Sequence, residues 1–231
     1  MDKKYKISIV IPVWNKFNFT QACLKDLALL PDYCEVVVVD NGSTDQTHRE
    51  LSGYNNILYL RNDQNEGFAK GCNRGYRESS GESVLFLNND IRVKSRRDSW
   101  VDDLIDAIDK ENDVLVGPTG GLVSETFDFV YETNDESRPI NYMSGWCLGA
   151  SKNTWNKLDL TKDGQVFSEE FGIAFFEDTD LSFRASEIGI GFRLVPIPVI
   201  HFGHITAHQL GVSELYQGAK RIFTDKWSGR V

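Results

Sequence analysis

The chain has 231 residues, 41% of them hydrophobic and 12% aromatic, enough apolar material for one sizeable core and, by length, for a single domain over 1–231. Its 34 acidic against 25 basic residues leave a net charge of −9, which argues against broad binding to a phosphate backbone and so against nucleic acid as a partner. Four cysteines without paired spacing read as reduced thiols rather than a zinc knuckle or disulfide framework, and no apolar run approaches the ~18 residues of a membrane span. The charged amino terminus and the short apolar run after it do not read as a secretory signal, so a cytoplasmic protein is expected, soluble or at most resting on the inner face of a membrane.

Short apolar runs alternate with amphipathic stretches through the first half. The pattern predicts strands at Ile7–Pro12, Glu35–Asp40, Ile57–Arg61, Ser83–Asn88 and Val114–Gly117, separated by helices near 17–30, 44–51, 66–79 and 98–111. That order predicts an α/β chain with a mostly parallel sheet and right-handed crossovers. Ser43 with Gln46 three positions on predicts a capping box for the second helix. From Gly120 to Pro139 the pattern loosens, which fits antiparallel strands or a mobile loop over a site. Helices follow near 151–158 and 178–189, then strands at Phe192–Val195 and Val199–Phe202, and a closing helix near 212–226.

The run Val84 to Leu87 ends abruptly in Asn88-Asn89-Asp90, and polar groups at the carboxyl end of a parallel strand point into the crevice where such sheets bind ligands. Asp90 is therefore a candidate metal or ligand residue. The first strand-to-helix turn, Pro12-Val13-Trp14-Asn15, has no glycine, and no Gly-Lys-Ser/Thr triplet occurs, so neither a dinucleotide fingerprint nor a P-loop is present. A divalent metal would then hold phosphates, with Asp90 and His201 or His204 as ligands and Mn²⁺ or Mg²⁺ as the ion. Glu177-Asp178-Thr179-Asp180 places three carboxylates before a helix; capping accounts for one or two, and crowding of like charge suits a general base.

Six segments in order resemble the family 2 glycosyltransferases of the GT-A fold, which are inverting and use nucleotide-sugar donors. They are Ser8 to Asn15, Val39 to Asp45, Asn65 to Ala69, Phe86 to Asp90, Ser144 to Gly149 and Glu177 to Arg184. The resemblance implies a Rossmann-like, mostly parallel sheet flanked by helices with a small antiparallel acceptor-side part. It divides the chain into a nucleotide-binding half, about 1–117, and an acceptor-binding half, about 118–231. Pro12, Val13, Asn15 and Asp40 would hold base and ribose, Asn65, Gly67, Asn88 and Asn89 the donor sugar and diphosphate, and Asp90 with His201 the metal. Asp178 would be the catalytic base, with Glu177 as the fallback. Gly145 and Trp146 would meet the acceptor, Trp146 by stacking on a sugar.

Asn88 departs from the family's Asp-x-Asp motif at its first position, as in members resembling rhamnosyltransferases. The activity implied is transfer of a hexosyl group from a UDP- or dTDP-linked sugar to a hydroxyl of a glycan or lipid-linked acceptor, as in polysaccharide biosynthesis. A nucleotide-sugar-binding module with little turnover stands as the rival; a sugar nucleotidyltransferase is less favoured, because Pro12 to Lys16 lacks its glycine-rich, basic loop. Lys220, Arg221, Lys226 and Trp227 predict a packed terminal helix with a solvated basic face, in preference to one lying on an anionic membrane.

Overall fold

The computed structural model describes residues 5–94, 100–111, 113–203 and 212–230. Its centre is a seven-stranded sheet. The strands are β1 (Ile7–Val13), β2 (Cys34–Asp40), β3 (Leu58–Arg61), β4 (Ser83–Leu87), β6 (Val114–Gly117), β10 (Cys147–Ser151) and β11 (Gly191–Leu194), in the spatial order β11-β6-β10-β4-β1-β2-β3. Every neighbouring pair is parallel except those made by β10, which runs against both β4 and β6.

Both faces are covered, so the central strands read as unbroken apolar runs rather than alternating ones. On one face Ile9, Ile11, Leu85 and Leu87 pack with α1 (Phe17–Leu27) and α4 (Trp100–Lys110). On the other, Val10, Val84 and Phe86 pack with α3 (Phe68–Glu78), α5 (Lys152–Leu158) and α6 (Glu177–Glu187). A third cluster seats α7 (Val212–Trp227) through Phe223 and Trp227, which are 0% and 1% exposed, against Phe127, Phe171, Phe176 and Phe183. The terminal helix is thus packed, as its aromatic spacing suggests.

One expectation changes, and one strand has no counterpart in the sequence pattern. Ser43 is not a helix cap: α2 (Thr47–Leu51) starts later, and Asp45 Oδ1 accepts from Thr47 N at 2.9 Å while Ser43 Oγ accepts from Asn15 N at 2.8 Å. The aspartate is the better acceptor two residues before the helix, which frees Ser43 to tie the first loop to the second. β10 carries no strand signal, since Cys-Leu-Gly-Ala-Ser has neither β-branching nor alternation, and its place between β4 and β6 decides its conformation.

The loosened region is sheet: β7 (Gly120–Val123), β8 (Phe129–Thr133) and β9 (Tyr142–Met143) pair antiparallel in the order β8-β7-β9. A separate two-stranded ribbon joins β5 (Ile91–Val93) to β12 (Val199–His201), with His201 opposite Ile91.

Gly67, at φ 94, precedes α3 in a conformation costly for any side chain, and an added Cβ would lie 2.1 Å from the Gly172 carbonyl oxygen. Gly67→Ala is expected to destabilise the fold by about 2 kcal/mol or more. Urea unfolding checks this, and a change below about 0.5 kcal/mol would remove the packing role given to this glycine.

Candidate functional site

β1 lies between β2 and β4, so the chain order reverses there, and the crevice beyond the carboxyl ends of β1 and β4 is where open α/β sheets take ligands. A cavity of about 660 Å³ occupies that position. Pro12 and Val13 line it from β1, Asn88, Asn89 and Asp90 from the end of β4, and Asn65 from the loop before α3. Gly145, Trp146, Glu177, Asp178 and His201 complete the wall. Eleven of the fourteen residues anticipated from sequence therefore meet in one place.

His201 arrives through the β5–β12 ribbon. Ile91 opposite His201, and a hydrogen bond from Phe202 N to Asp90 O at 2.9 Å, set the imidazole beside the carboxylate. Asp90 Oδ1 lies 3.1 Å from His201 Nε2, yet it is buried with no aligned hydrogen-bond partner. The distance is that of an ion pair without the direction of a hydrogen bond. Asn88 Nδ2 stands 3.2 Å from the same Nε2, and turning that amide over brings its carbonyl oxygen there.

An orphaned carboxylate oxygen, an imidazole nitrogen and an amide around one point fit a divalent ion. Such ions take one or two carboxylates and complete their shell from substrate phosphates and water. No group of three or more His, Cys, Asp or Glu side chains able to hold a metal occurs among the described residues. His204, the other candidate ligand, lies outside the described residues.

Trp146 turns out to face His201: the rings are 4.7 Å apart and 11° from parallel. Its Nε1 donates to Thr119 Oγ1 at 2.8 Å and to Glu132 Oε1 at 3.2 Å, and its carbonyl accepts from Asn88 N at 2.8 Å. One face of the indole lies on the imidazole. Glu132, on β8, also accepts from Ser144 Oγ at 2.9 Å and lines the cleft. No motif marks it in the sequence; the register Gly121 opposite Glu132 in the small sheet carries it there.

Phe175 and Phe176 both have left-handed backbone, φ 81 and 67, and deliver Glu177 and Asp178 at the first turn of α6. Such conformations are costly for aromatic residues and persist where packing over-determines them. Here Phe176 packs on Phe223 at 5.0 Å and Phe175 on Tyr216 at 5.7 Å. Asp178 Oδ2 accepts from Gly145 N at 2.9 Å and Oδ1 from Thr179 N at 2.7 Å. Gly145 permits that approach, since an added Cβ would lie 3.0 Å from Asp178 Cβ.

Burial, and then the charge of Asp178, push the Glu177 carboxyl up to about 8. Burial raises Asp178 as well, against the pull of the Gly145 and Thr179 N–H groups. Near neutral pH Glu177 keeps its proton, and the N–H donors of the pair stand on Asp178.

Because the folded chain holds a proton on Glu177 that the unfolded chain releases above about 4.5, this group's contribution is fully present below that pH. It declines by up to about 1.4 kcal/mol per pH unit as pH rises toward 8. Glu177→Gln is expected to flatten that slope and to raise the melting temperature at about pH 8. Parallel stability profiles for the two proteins would remove the burial assignment.

Three anticipated residues lie outside the cavity wall. Asp40 is fully buried, its carboxylate taken by Tyr59 Oη at 2.8 Å, by Ser43 N at 2.8 Å and by the Arg61 guanidinium. Asn15 Oδ1 accepts from Thr44 N at 2.8 Å, and Gly67 O accepts from Asn41 Nδ2 at 2.8 Å. Asn89 reaches the wall, but its amide donates to Thr20 Oγ1 on α1 at 2.8 Å. Asp180, the third carboxylate of its cluster, turns inward to Arg184 Nε at 2.9 Å and Trp227 Nε1 at 2.9 Å. Two basic residues of α7 are also engaged: Lys220 pairs with Asp128, and Lys226 pairs with Glu170 at 2.5 Å and Asp180 at 2.8 Å.

The family model described as glycosyl transferase family 2 matches residues 8–170. The poly(ribitol-phosphate) beta-N-acetylglucosaminyltransferase TarS of Staphylococcus aureus is 37% identical over 177 residues, 71% of this chain and 30% of its own length. Glycosyltransferase AglE of Haloferax volcanii is 32% identical over 136 residues, 53% of this chain and 44% of its own. The chain spans less than half the length of either relative.

Among solved structures, TarS 1–349 of Staphylococcus aureus in complex with UDP superposes with a TM-score of 0.57 at 26% identity, over 78% of this chain and 54% of that one. The mannosyltransferase PcManGT of Pyrobaculum calidifontis, in complex with GDP-Man and Mn²⁺, gives 0.59 at 17% identity, over 84% and 56%. These likenesses and the sheet order show the GT-A fold.

Proposed function

Because the chain belongs to glycosyl transferase family 2, we propose that it moves a hexosyl group from a nucleoside diphosphate sugar to a hydroxyl of a glycan or lipid-linked acceptor, with inversion. The observation that carries this reading is the single cleft in which Asp178, held by the Gly145 and Thr179 N–H groups, faces the same space as Asp90 and His201. A UDP- or dTDP-linked donor is favoured, in keeping with the UDP bound to the TarS structure. Residues of about 1–117 hold the donor and those of about 118–231 the acceptor, with His201 lent back across the β5–β12 ribbon.

The described residues lining the cavity include no lysine or arginine. Asp90, His201 and the Asn88 carbonyl would hold Mn²⁺ or Mg²⁺ beside an entering diphosphate, as Mn²⁺ accompanies GDP-Man in PcManGT. When bound, the ion provides Lewis-acid stabilisation of the departing diphosphate. Asp178 takes the proton of the acceptor hydroxyl as that oxygen attacks the anomeric carbon opposite the leaving group. Phe175, Phe176 and Tyr216 on the cavity wall keep water from competing.

Asn88 in place of a first aspartate is what places the chain, in our reading, beside rhamnosyltransferase-like members. We assign the reaction to polysaccharide assembly on the cytoplasmic side. No helix among the described residues is long and apolar enough to cross a membrane.

A panel of UDP-, dTDP- and GDP-sugars with Mn²⁺ or Mg²⁺ and varied glycan acceptors tests the proposal; no nucleoside diphosphate released under any combination would end it. For the metal, UDP is expected to raise the melting temperature with Mn²⁺ and not with chelator. Asp90→Ala is expected to weaken metal-supported UDP binding by about tenfold or more. Equal UDP affinity in the two proteins would dismiss Asp90 as a ligand.

A further inference from the structure

The acceptor end of the cleft is lined, among the described residues, by acidic side chains. Its described wall carries Glu132, Glu177 and Asp178, and no lysine or arginine faces them. Glu177 is 8% exposed, and its Oε2 is buried in the wall with no hydrogen-bond partner, an acceptor or acid left to be satisfied by something entering the cavity. Glu132 differs from the other two, being on the exposed β8 strand with Oε1 engaged by Ser144 and Trp146. Around these groups the wall is aromatic, with Tyr142, Phe175 and Tyr216.

Resting on the glycosyl-transfer reading above, we propose that this subsite selects its acceptor by charge. It takes a glycoside that is neutral, or carries an amine, around the reacting hydroxyl, and it rejects one bearing phosphate or carboxylate there. Glu132 is the specificity-determining residue. Asp90 and His201 would hold a cation for the donor diphosphate at one end of the cleft, whereas an anion at the other end meets Glu132 and Asp178 and no lysine or arginine among the described lining residues. Like charges brought together without a counter-charge are strongly disfavoured at a binding site. A sugar hydroxyl or ammonium, by contrast, donates to carboxylates, and the outer oxygen of Glu132 is suited to receive it. Aromatic walls accept the apolar face of a pyranose irrespective of its charge, so discrimination falls to the carboxyl groups.

The test uses the full chain with Mn²⁺ and three nitrophenyl glycosides of one sugar: unmodified, 2-amino and 6-phosphate. The wild type is expected to favour the neutral and amino glycosides over the phosphorylated one by at least about tenfold in kcat/KM, carried mostly by KM. Glu132→Lys is expected to narrow that ratio by about tenfold, and Glu132→Gln to give an intermediate value. Saturation-transfer NMR of the same glycosides reads the preference without turnover. Failure of the donor reading would show as absent donor hydrolysis with the binding preference intact. Equal binding or use of the phosphorylated glycoside by the wild type overturns the inference, as does an unchanged ratio in Glu132→Lys.

Discussion

Asp178→Asn is expected to lower glycosyl transfer by about 10²–10⁴-fold while leaving nucleotide binding close to that of the parent chain. The amide has the shape of the carboxylate, and its oxygen can keep the hydrogen bond from Gly145 N, now 2.9 Å. It cannot accept a proton from a hydroxyl. The loss should therefore fall on kcat with little change in donor KM. Gly145→Ala separates position from chemistry: a Cβ 3.0 Å from that of Asp178 pushes the carboxylate aside without removing it, so a smaller loss is expected. Undiminished transfer by Asp178→Asn would sink the base assignment. If Glu177→Gln alone abolished transfer, the fallback would take its place.

The largest effect on stability should come from Asp180→Ala. This carboxylate is 0% exposed and receives Arg184, Lys226 and Trp227, joining α6 to α7. Arg184 in turn donates to the carbonyls of Leu158 and Val166 at 2.8 and 2.7 Å, so it cannot swing out to water without releasing them. Removing one partner of a buried charged pair costs about 3–5 kcal/mol. In a chain of this size that corresponds to a fall in melting temperature of about 10 °C. Asp180→Asn, which keeps an acceptor for the Trp227 indole, should cost less. A change under about 1 kcal/mol for the alanine variant would show that the network contributes little.

The two neighbouring aspartates show what the sequence could and could not convey. Asp178 and Asp180 sit two apart in one acidic cluster, and spacing alone left open which served chemistry and which structure. Their α6 positions turn one toward the cleft and the other toward α7, a distinction that depends on where α7 packs. The first-half strands were legible because a sheet buried on both faces writes itself as apolar runs, and Val84 to Leu87 ending in Asn88-Asn89-Asp90 is the plainest case. β10 was not, because Cys147 to Ser151 owes its strand conformation to β4 and β6. Glu132 was invisible for a related reason: an exposed strand residue has no pattern that says what its side chain meets. Trp146 lines the cleft, and only the fold could show that one of its faces lies against His201. Asp40 carried a polar strand-tip signature that its contacts with Tyr59 and Arg61 now account for within the protein.

The β5–β12 ribbon also bears on how the protein comes to be active. Its register pairs Ile91 with His201, and closing a loop of that length costs entropy that only later contacts repay. The ribbon is therefore expected to form late in folding, after the β1–β4 core, and to open first under mild denaturant. A nascent chain could then hold a formed nucleotide-side sheet before the imidazole is in place to complete the site. Hydrogen exchange should find the amides of Ile91 and Phe202 less protected than those of Val10 and Leu85, and donor with Mn²⁺ should close the gap. The ligand would act as the last element of the fold, so competence for catalysis and completion of folding would be one event.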